Sequence, residues 1–277
     1  MRVALTGATG LAGHPIAAHL VRLGFDVVTL GRTPSPLGLP HVLWSLGECP
    51  EVACDALVHC AFSHVPDRYR GGEGRDPEAF LRLNRDGTLR LLEAVPAARI
   101  VFLSSRAVYG DAPSGTRLDE AMTPQPDTLY GEMKGAIEAV VTARGGVSLR
   151  ATGLYGRPPP GRAHKWAGLF ADFEAGRAVP ARVATELHVD DLAAAVALCL
   201  RRATPTLLNA SDIVLDRRDL LEAYAAITGV TGRLPDHRSA AAVSEMDCSR
   251  LRSLGWTPRG PEGLRPALEE IIGEKAA

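Results

Sequence analysis

The sequence predicts an α/β fold in which helices cover both faces of a doubly wound parallel sheet, with a smaller part toward the C-terminus. Apolar strands alternate with helical segments, and a glycine-rich turn joins the first strand to the first helix. The 277 residues are enough to bury a sizeable core. We expect residues 1–152 to form the sheet domain, with 186–204 returning to it, and residues 153–185 and 205–277 to form the smaller part.

The individual elements follow from local pattern. Short, mainly apolar runs predict strands at 2–6, 26–30, 56–60, 99–103 and 147–150. Helical segments are predicted near 11–23, 77–94, 130–144, 189–202 and 217–228. Segments rich in Pro and Gly at 33–40, 66–77, 111–126 and 156–162 predict loops near the strand ends or the domain junction, where such folds bind ligands.

The turn after the first strand carries three regularly spaced glycines, Gly7, Gly10 and Gly13. The first allows a tight turn, the second a close approach of a pyrophosphate, and the third close packing of helix on strand. Because N–H groups and the helix dipole favour phosphates at a helix start, this pattern predicts a Rossmann-type dinucleotide site. The predicted cofactor contacts here are Gly7, Thr9, Gly10, Leu11 and Ala12. The alternative is a plain strand–helix turn of an unrelated α/β protein.

The end of the second strand bears on the choice of cofactor. An acidic residue there would bind the ribose 2′-hydroxyl of NAD, but this chain has Gly31, Arg32 and Thr33. Since a guanidinium suits a 2′-phosphate, we expect NADP to be preferred over NAD, with Arg32 and Thr33 as contacts. In the alternative, Arg32 stacks on the adenine of an NAD enzyme.

A candidate catalytic group combines Tyr130 and Lys134 with Ser105. Residues four apart on a helix share a face, so the phenol and the ammonium can point into one site. A nearby lysine charge favours the phenolate, and a serine hydroxyl can hold a carbonyl or alcohol oxygen. The alternative is a surface helix in which the tyrosine and lysine are incidental.

Further motifs run along nearly the whole chain in a fixed order. They are His59-Cys60-Ala61, Asn84 to Thr88, Ser104-Ser105 to Gly110, Leu149-Arg150 to Tyr155-Gly156, His188 to Leu192, and Leu254-Gly255-Trp256. Together with the glycine turn and the Tyr130–Lys134 pair, they resemble the extended short-chain dehydrogenase/reductase family, of the NAD-dependent epimerase/dehydratase type.

The resemblance implies a smaller C-terminal substrate-binding part and an NAD(P)-dependent enzyme that passes hydride between nicotinamide and a carbonyl or hydroxyl carbon. It implies that Tyr130 is the general acid or base, that Lys134 also binds the nicotinamide ribose, and that Ser105 polarises the substrate oxygen. Further cofactor contacts are expected at Cys60, Ala61, Phe62, Asn84, Ser104, Tyr130 and Lys134. Expected substrate contacts are Ser63, His64, Arg106, Gly153 and Arg182.

Two departures from the family pattern concern the substrate. Gly153 and Ala184 stand where nucleotide-sugar members usually have Asn and Arg, although Arg182 could substitute. We therefore expect weak binding of nucleotide sugars and favour a sugar-type or small carbonyl substrate. A nucleotide-sugar epimerase or dehydratase is the alternative, with dehydration disfavoured because Arg106 and Ala107 replace an acidic pair. A non-catalytic NADP-binding regulatory protein is the alternative of another class.

The composition excludes several classes of partner. With 31 basic and 32 acidic residues the net charge is −1, which gives no general attraction to nucleic acid or to acidic membranes. No apolar run reaches the roughly 18 residues of a membrane span, and a strand beginning at residue 2 argues against a signal peptide. Five cysteines without a C-x-x-C pair favour reduced thiols and a cytoplasmic location, and the scattered histidines predict no metal. The expected partner is a small-molecule substrate, and a homodimer is compatible with the sequence.

Overall fold

The computed structural model describes residues 1–65 and 72–273. Residues 66–71 of the loop predicted at 66–77 and the last four residues of the smaller part lie outside these ranges. The strands are β1 (Arg2–Thr6), β2 (Asp26–Gly31), β3 (His41–Leu43), β4 (Ala56–His59), β5 (Arg99–Ser105), β6 (Arg117–Leu118), β7 (Val147–Ala151), β8 (Gly153–Tyr155), β9 (Val183–His188), β10 (Leu207–Ala210), β11 (Ile213–Asp216) and β12 (Glu245–Met246). The α-helices are α1 (Gly13–Arg22), α2 (Pro77–Leu81), α3 (Gly87–Ala94), α4 (Leu129–Ala143), α5 (Ala167–Glu174), α6 (Val189–Arg201), α7 (Arg217–Thr228), α8 (Ser249–Ser253) and α9 (Leu264–Gly273).

The main sheet has the order β10-β7-β5-β4-β1-β2-β3, and all of its pairings are parallel. The chain runs outward from β1 to β3 and then returns to β4 on the other side of β1. The strand order therefore reverses between β1 and β4, and the carboxyl ends of these two strands form the edge at which such sheets bind ligands. The predicted doubly wound α/β fold is confirmed.

Each face of the sheet is covered by helices, as long apolar strands require. Ile16 of α1 and Leu192 of α6 pack on one face, in a core shared with Leu5 and Leu149. On the other face, α3 and α4 pack on Ala4, Leu57 and Phe102 through residues such as Leu91 and Ile137. Helix α4 is therefore fixed against the strand that ends at Ser105.

The helix predicted at 77–94 is interrupted. Between α2 and α3 the chain forms a π-helical turn, Arg82–Asp86, which contains the buried Asn84. Such single-turn widenings occur often at functional sites.

The smaller part is built on a three-stranded sheet of order β11-β9-β8. Its apolar cluster joins this sheet to α5, α7 and α9 through residues such as Tyr155, Phe170, Tyr224 and Leu268. Two strands bear on the predicted division into two parts. Strand β9 lies wholly in this small sheet, although residues 186–204 are predicted to return to the sheet domain. Strand β10 lies in the range 205–277 but pairs with β7 as the outermost strand of the main sheet.

Candidate active site

The turn between β1 and α1 has the geometry of a phosphate cradle. Gly7 has a φ of +76°, and a Cβ on Gly13 would collide with the Gly7 carbonyl, so both positions require glycine. The Gly10 N–H donates to the Gly7 carbonyl at 2.9 Å, which closes the turn. Helix α1 has neither an acidic residue in its first turn nor a side-chain cap, and within residues 1–65 and 72–273 the N–H groups of Leu11 and Ala12 have no acceptor. Donors without acceptors at a helix start fit the pyrophosphate of a dinucleotide.

A buried histidine fixes the neighbouring turn at the end of β4. His59 lies between the hydroxyls of Thr6, at 2.7 Å, and Thr88, at 2.9 Å. Since the Thr88 hydroxyl donates to the carbonyl of Asn84 at 2.6 Å, it must accept from the histidine, which places the ring proton on Nε2. Burial, and secondarily the charge of Lys134, lowers the pKa of His59 to about 3, so the ring is neutral.

The same network orients backbone groups toward the cradle. With its proton directed to His59, the Thr6 hydroxyl accepts the N–H groups of Cys60 at 3.1 Å and Ala61 at 3.0 Å. A Cβ on Gly7 would lie 2.9 Å from the nitrogen of Ala61, so the two turns touch. The segment 60–62, predicted to contact the cofactor, therefore lies directly beside the glycine turn.

Asn84 holds the next residues in place. Its side-chain amide accepts the N–H of Ser63 at 2.7 Å and donates to the carbonyls of Ser63, at 2.7 Å, and Phe80, at 3.0 Å. These three bonds assign Asn84 a role in shaping the loop, because a cofactor would have to compete with them. Beyond the clamp, Ser63 and His64 are exposed, and the ring of Phe62 stacks on that of His64 with centroids 5.1 Å apart.

Lys134 is the best-defined group at the carboxyl edge of the sheet. Its Nζ donates to the carbonyl of Leu103 at 2.7 Å. Three aromatic rings surround it, with centroids at 4.5 Å for Phe102, 5.2 Å for Phe62 and 5.7 Å for Tyr130. Phe62 also contacts Tyr130 edge to face, with centroids 5.0 Å apart. The structure thus brings Tyr130 and Lys134 together, as the spacing on the helix predicts.

The environment of Lys134 changes its protonation. The residue is 6% exposed, and this burial lowers the pKa of its ammonium to about 8, against the opposing influence of Cys60 and Glu138. The lysine is therefore charged at neutral pH in surroundings that screen its charge poorly.

The start of α4 packs closely on the turn that follows Ser105. The Thr128 hydroxyl caps the helix by accepting the N–H of Gly131 at 3.1 Å, while Ser105 caps the turn 106–109 by accepting the N–H of Ala107 at 3.1 Å. A Cβ on Gly131 would collide with the carbonyl of Ala107, so this glycine permits the approach. Ser105 and the helix start that carries Tyr130 are consequently neighbours. The sequence analysis missed the role of Gly131, although a glycine directly after the tyrosine was a usable signal.

Ser104 and Ser105 point to opposite faces of β5, as successive strand residues do. The Ser104 hydroxyl donates at 2.5 Å to Glu138, which also forms a buried ion pair with Arg150, with Nη2 and Oε2 2.7 Å apart. Tyr109 covers the guanidinium, with its ring centroid 4.7 Å from Cζ. The side chain of Ser104 is therefore engaged in the core, which leaves its backbone for the predicted cofactor contact. The sequence analysis did not single out Glu138.

Arg32 and Thr33 lie exposed just after β2. Among the residues that the structure describes, the Arg32 side chain has neither a hydrogen bond nor an ion pair. A guanidinium without a protein partner at this strand end is free to bind an anion such as a 2′-phosphate.

The predicted substrate residues lie on separate elements. Arg106 is half-buried in the turn after β5, where its Nη2 donates to the carbonyl of Ser244 at 3.3 Å. Gly153 begins β8 and pairs with Glu186 of β9, whereas Arg182 is exposed one residue before β9. An ion pair between Lys165 and the buried Glu186 lies over Gly153.

We interpret His188, Asp190 and Asp191, at the start of α6, as structural residues. The His188 Nδ1 accepts the N–H of Asp190 at 3.1 Å and caps α6. Arg259 pairs with Asp190 at 3.2 Å and with Asp191 at 3.3 Å, which ties the C-terminal segment to the helix. Burial, with the charge of Arg259, lowers the pKa of His188 to about 4. These contacts support the structural interpretation.

The described part of the chain also bears on metal binding, on membrane insertion and on the state of the cysteines. No group of three or more His, Cys, Asp or Glu side chains in residues 1–65 and 72–273 could hold a metal ion. Within the same ranges, no helix is long and apolar enough to cross a membrane. All five cysteines lie in the described part and are free thiols.

Comparison with known proteins agrees with the fold. Residues 3–210 match the NAD dependent epimerase/dehydratase family. The chain belongs to this family, and it is an NAD(P)-dependent enzyme of the extended short-chain dehydrogenase/reductase type. Its reaction is of the oxidoreductase or epimerase type, as predicted from the resemblance of its motifs to those of the family.

Its relatives differ in their substrates. The chain is 30% identical to a dTDP-6-deoxy-L-talose 4-dehydrogenase (NAD(P)(+)) of Kitasatospora kifunensis, over 98% of this chain and 94% of that protein. It is 28% identical to a 3-diazoavenalumate denitrifying reductase of a Streptomyces species, over 94% of this chain and 97% of that protein. Among solved structures, MoeE5 in complex with UDP-glucose and NAD superposes with a TM-score of 0.81 at 25% identity, covering 100% of both chains.

Proposed function

We propose that this protein is an NADP-preferring oxidoreductase that interconverts a carbonyl and a hydroxyl group on a sugar-type or small carbonyl substrate, with Tyr130, Lys134 and Ser105 as catalytic residues. The observation that carries the proposal is the position of Lys134, whose buried ammonium contacts the Tyr130 ring at the carboxyl edge of the sheet. We infer a cytoplasmic enzyme whose partner is a small-molecule substrate.

The residues around the cradle fit the dinucleotide. The N–H groups of Leu11 and Ala12 would bind the pyrophosphate, and Arg32 would pair with the 2′-phosphate of NADP. The turn 60–62 lies beside the cradle and would line the cofactor. When bound, the nicotinamide supplies or accepts the hydride.

Side chains of the protein itself donate and accept the proton of the reaction. In reduction, the Tyr130 hydroxyl donates a proton to the oxygen that gains negative charge, and Lys134 stabilises the phenolate that is left. Ser105 lies at the end of β5, on the side of the close contact between α4 and the turn 106–109, and its hydroxyl would donate a hydrogen bond to the same oxygen. In oxidation, the same groups act in reverse.

A nucleotide-sugar reductase or epimerase is the second candidate. It is favoured by the talose dehydrogenase and by the similarity to MoeE5, whose structure holds UDP-glucose. The 3-diazoavenalumate denitrifying reductase, which is matched over 97% of its length, is named for a compound of another class and so supports the first candidate. Arg106 and Ala107 provide no acid or base after Ser105, which disfavours a dehydratase.

The direct test follows the oxidation of NADPH with a panel of free sugars, keto-sugars and small carbonyl compounds. Tyr130→Phe should lower the turnover of an accepted substrate by about 10²–10⁴-fold, because it removes the proton and leaves the ring. Its affinity for NADPH should stay close to that of the wild type, which controls for folding. A Tyr130→Phe variant that kept more than about a tenth of the rate would remove Tyr130 from this role. Wild-type protein that binds NADPH but consumes none of it with any carbonyl would favour the regulatory alternative.

A further inference from the structure

The space above Gly153 is filled by an ion pair from two other segments. A Cβ built on Gly153 would lie 2.7 Å from both Nζ of Lys165 and Oε2 of Glu186. No larger side chain fits here while the pair is in place. Lys165 precedes α5 and Glu186 lies in β9, so the pair joins the loop after β8 to the small sheet.

The pair lies close to the proposed catalytic centre. Gly153 follows β7 by two residues, and Ala151, the last residue of β7, is the register partner of Ser105 on β5. On the proposed function, a substrate whose oxygen is held by Ser105 lies at the strand ends from which the segment of Gly153 leads.

The two charges are unequally exposed. The Glu186 side chain is 7% exposed and that of Lys165 is 27% exposed, with Nζ 5.9 Å from the centroid of the Trp166 ring. Burial lowers the pKa of Lys165 and raises that of Glu186, while the charge of each partner opposes these changes. The positive charge of Arg182 also acts on the pair and lowers the pKa of both groups. The ammonium faces outward, and its charge is compensated by the carboxylate beneath it.

We propose that the Lys165–Glu186 pair is a specificity element that selects neutral, hydroxyl-bearing substrates and disfavours those that carry a diphosphate. The proposal rests on the proposed function, which places the substrate at this edge. The carboxylate opposes the attraction of an anion to the ammonium, so the pair attracts a diphosphate less than an unpaired lysine would. A hydroxyl, in contrast, uses hydrogen-bonding capacity that remains in the pair, since an ammonium has three donors and a carboxylate about four acceptor positions.

The test measures the affinity of UDP, as a diphosphate probe, by calorimetry with NADP at saturation. Glu186→Gln keeps the size and a hydrogen-bond acceptor but removes the negative charge, which leaves the Lys165 ammonium uncompensated. We expect it to bind UDP at least about tenfold more tightly than the wild type does. The matched control is Glu222→Gln, which changes an exposed carboxylate paired with Arg218 on α7 and should leave the affinity unchanged.

A double variant, Lys165→Gln with Glu186→Gln, removes both charges and leaves neither partner unpaired. It should bind UDP within about threefold of the wild type, because the compensated pair contributes little attraction for an anion. If Glu186→Gln fails to fold, as judged by its affinity for NADPH, the double variant still tests whether Lys165 binds phosphate. If the wild type binds UDP tightly and the double variant does not, Lys165 is a phosphate ligand and the proposal is overturned. Equal UDP affinities of the wild type and a folded Glu186→Gln would also overturn it. Both outcomes are independent of the Tyr130→Phe measurement, so this inference can fail while the proposed function stands.

Discussion

The buried ammonium of Lys134 should make stability and activity respond to pH in opposite directions. Its pKa falls from an ordinary value of 10.5 to about 8 in the folded protein, chiefly because of burial. The unfolded chain therefore binds more protons than the folded protein between pH 8 and 10.5, and the free energy of unfolding rises with pH across this window. Since each pH unit corresponds to about 1.4 kcal/mol, the buried charge destabilises the fold by about 3 kcal/mol below pH 8.

The measurement compares the wild type with Lys134→Met by denaturant unfolding at several pH values, without added cofactor. Other groups titrate in both proteins, so the difference between the two unfolding free energies isolates Lys134. We expect that difference to shift in favour of the wild type by about 3 kcal/mol between pH 7 and 10.5. The turnover of the wild type should meanwhile fall above about pH 8, because the neutral amine no longer stabilises the Tyr130 phenolate. Parallel stability curves for the two proteins would refute the reasoning.

Three further predictions concern the cofactor, the packing of the catalytic helix and its buried anchor. Arg32→Ala should weaken NADPH binding by about 1.5–3 kcal/mol and leave NADH binding unchanged in fluorescence titrations, whereas equal losses for the two would remove Arg32 from phosphate recognition. Gly131→Ala should lower both turnover and thermal stability, because its Cβ has no room; Gly135→Ala, with open space around its Cβ on the same helix, should instead gain up to about 1 kcal/mol. Glu138→Gln should cost about 3–5 kcal/mol in chemical unfolding by leaving a buried guanidinium unpaired, and a loss below about 1 kcal/mol would show that water reaches it.

The main sheet could be predicted because buried parallel strands are continuous apolar runs, which stand out against the amphipathic helices between them. Strand β10 could not be predicted in this way. It is four residues long and ends in Asn209 and Ala210, and nothing in its local pattern shows that the chain crosses back to β7. The reason for its place is tertiary, since the Asn209 side chain accepts the Tyr109 hydroxyl at 2.8 Å and is fully buried.

The candidate catalytic group could be predicted for a similar local reason. Tyr130 and Lys134 are one helical turn apart, and such spacing is visible in the sequence. The enclosure of Lys134 by Phe62 and Phe102 was not visible, because these rings come from segments whose proximity depends on the strand order. The Lys165–Glu186 contact, which joins residues 21 positions apart on different elements, was hidden for the same reason.

The surroundings of Lys134 and Lys165 differ in a way that explains how one edge of the sheet could serve two purposes. Lys134 is held by a carbonyl and three aromatic rings, and among the described residues it has no carboxylate within ion-pair distance, so its charge acts on its surroundings. Lys165 contacts the carboxylate of Glu186, which largely neutralises the charge of the ammonium. In the proposed reaction, positive potential is therefore concentrated where negative charge develops on the reacting oxygen, and it is low where the rest of the substrate lies. This distribution favours the transition state over an anionic ground state, as catalysis by differential binding requires.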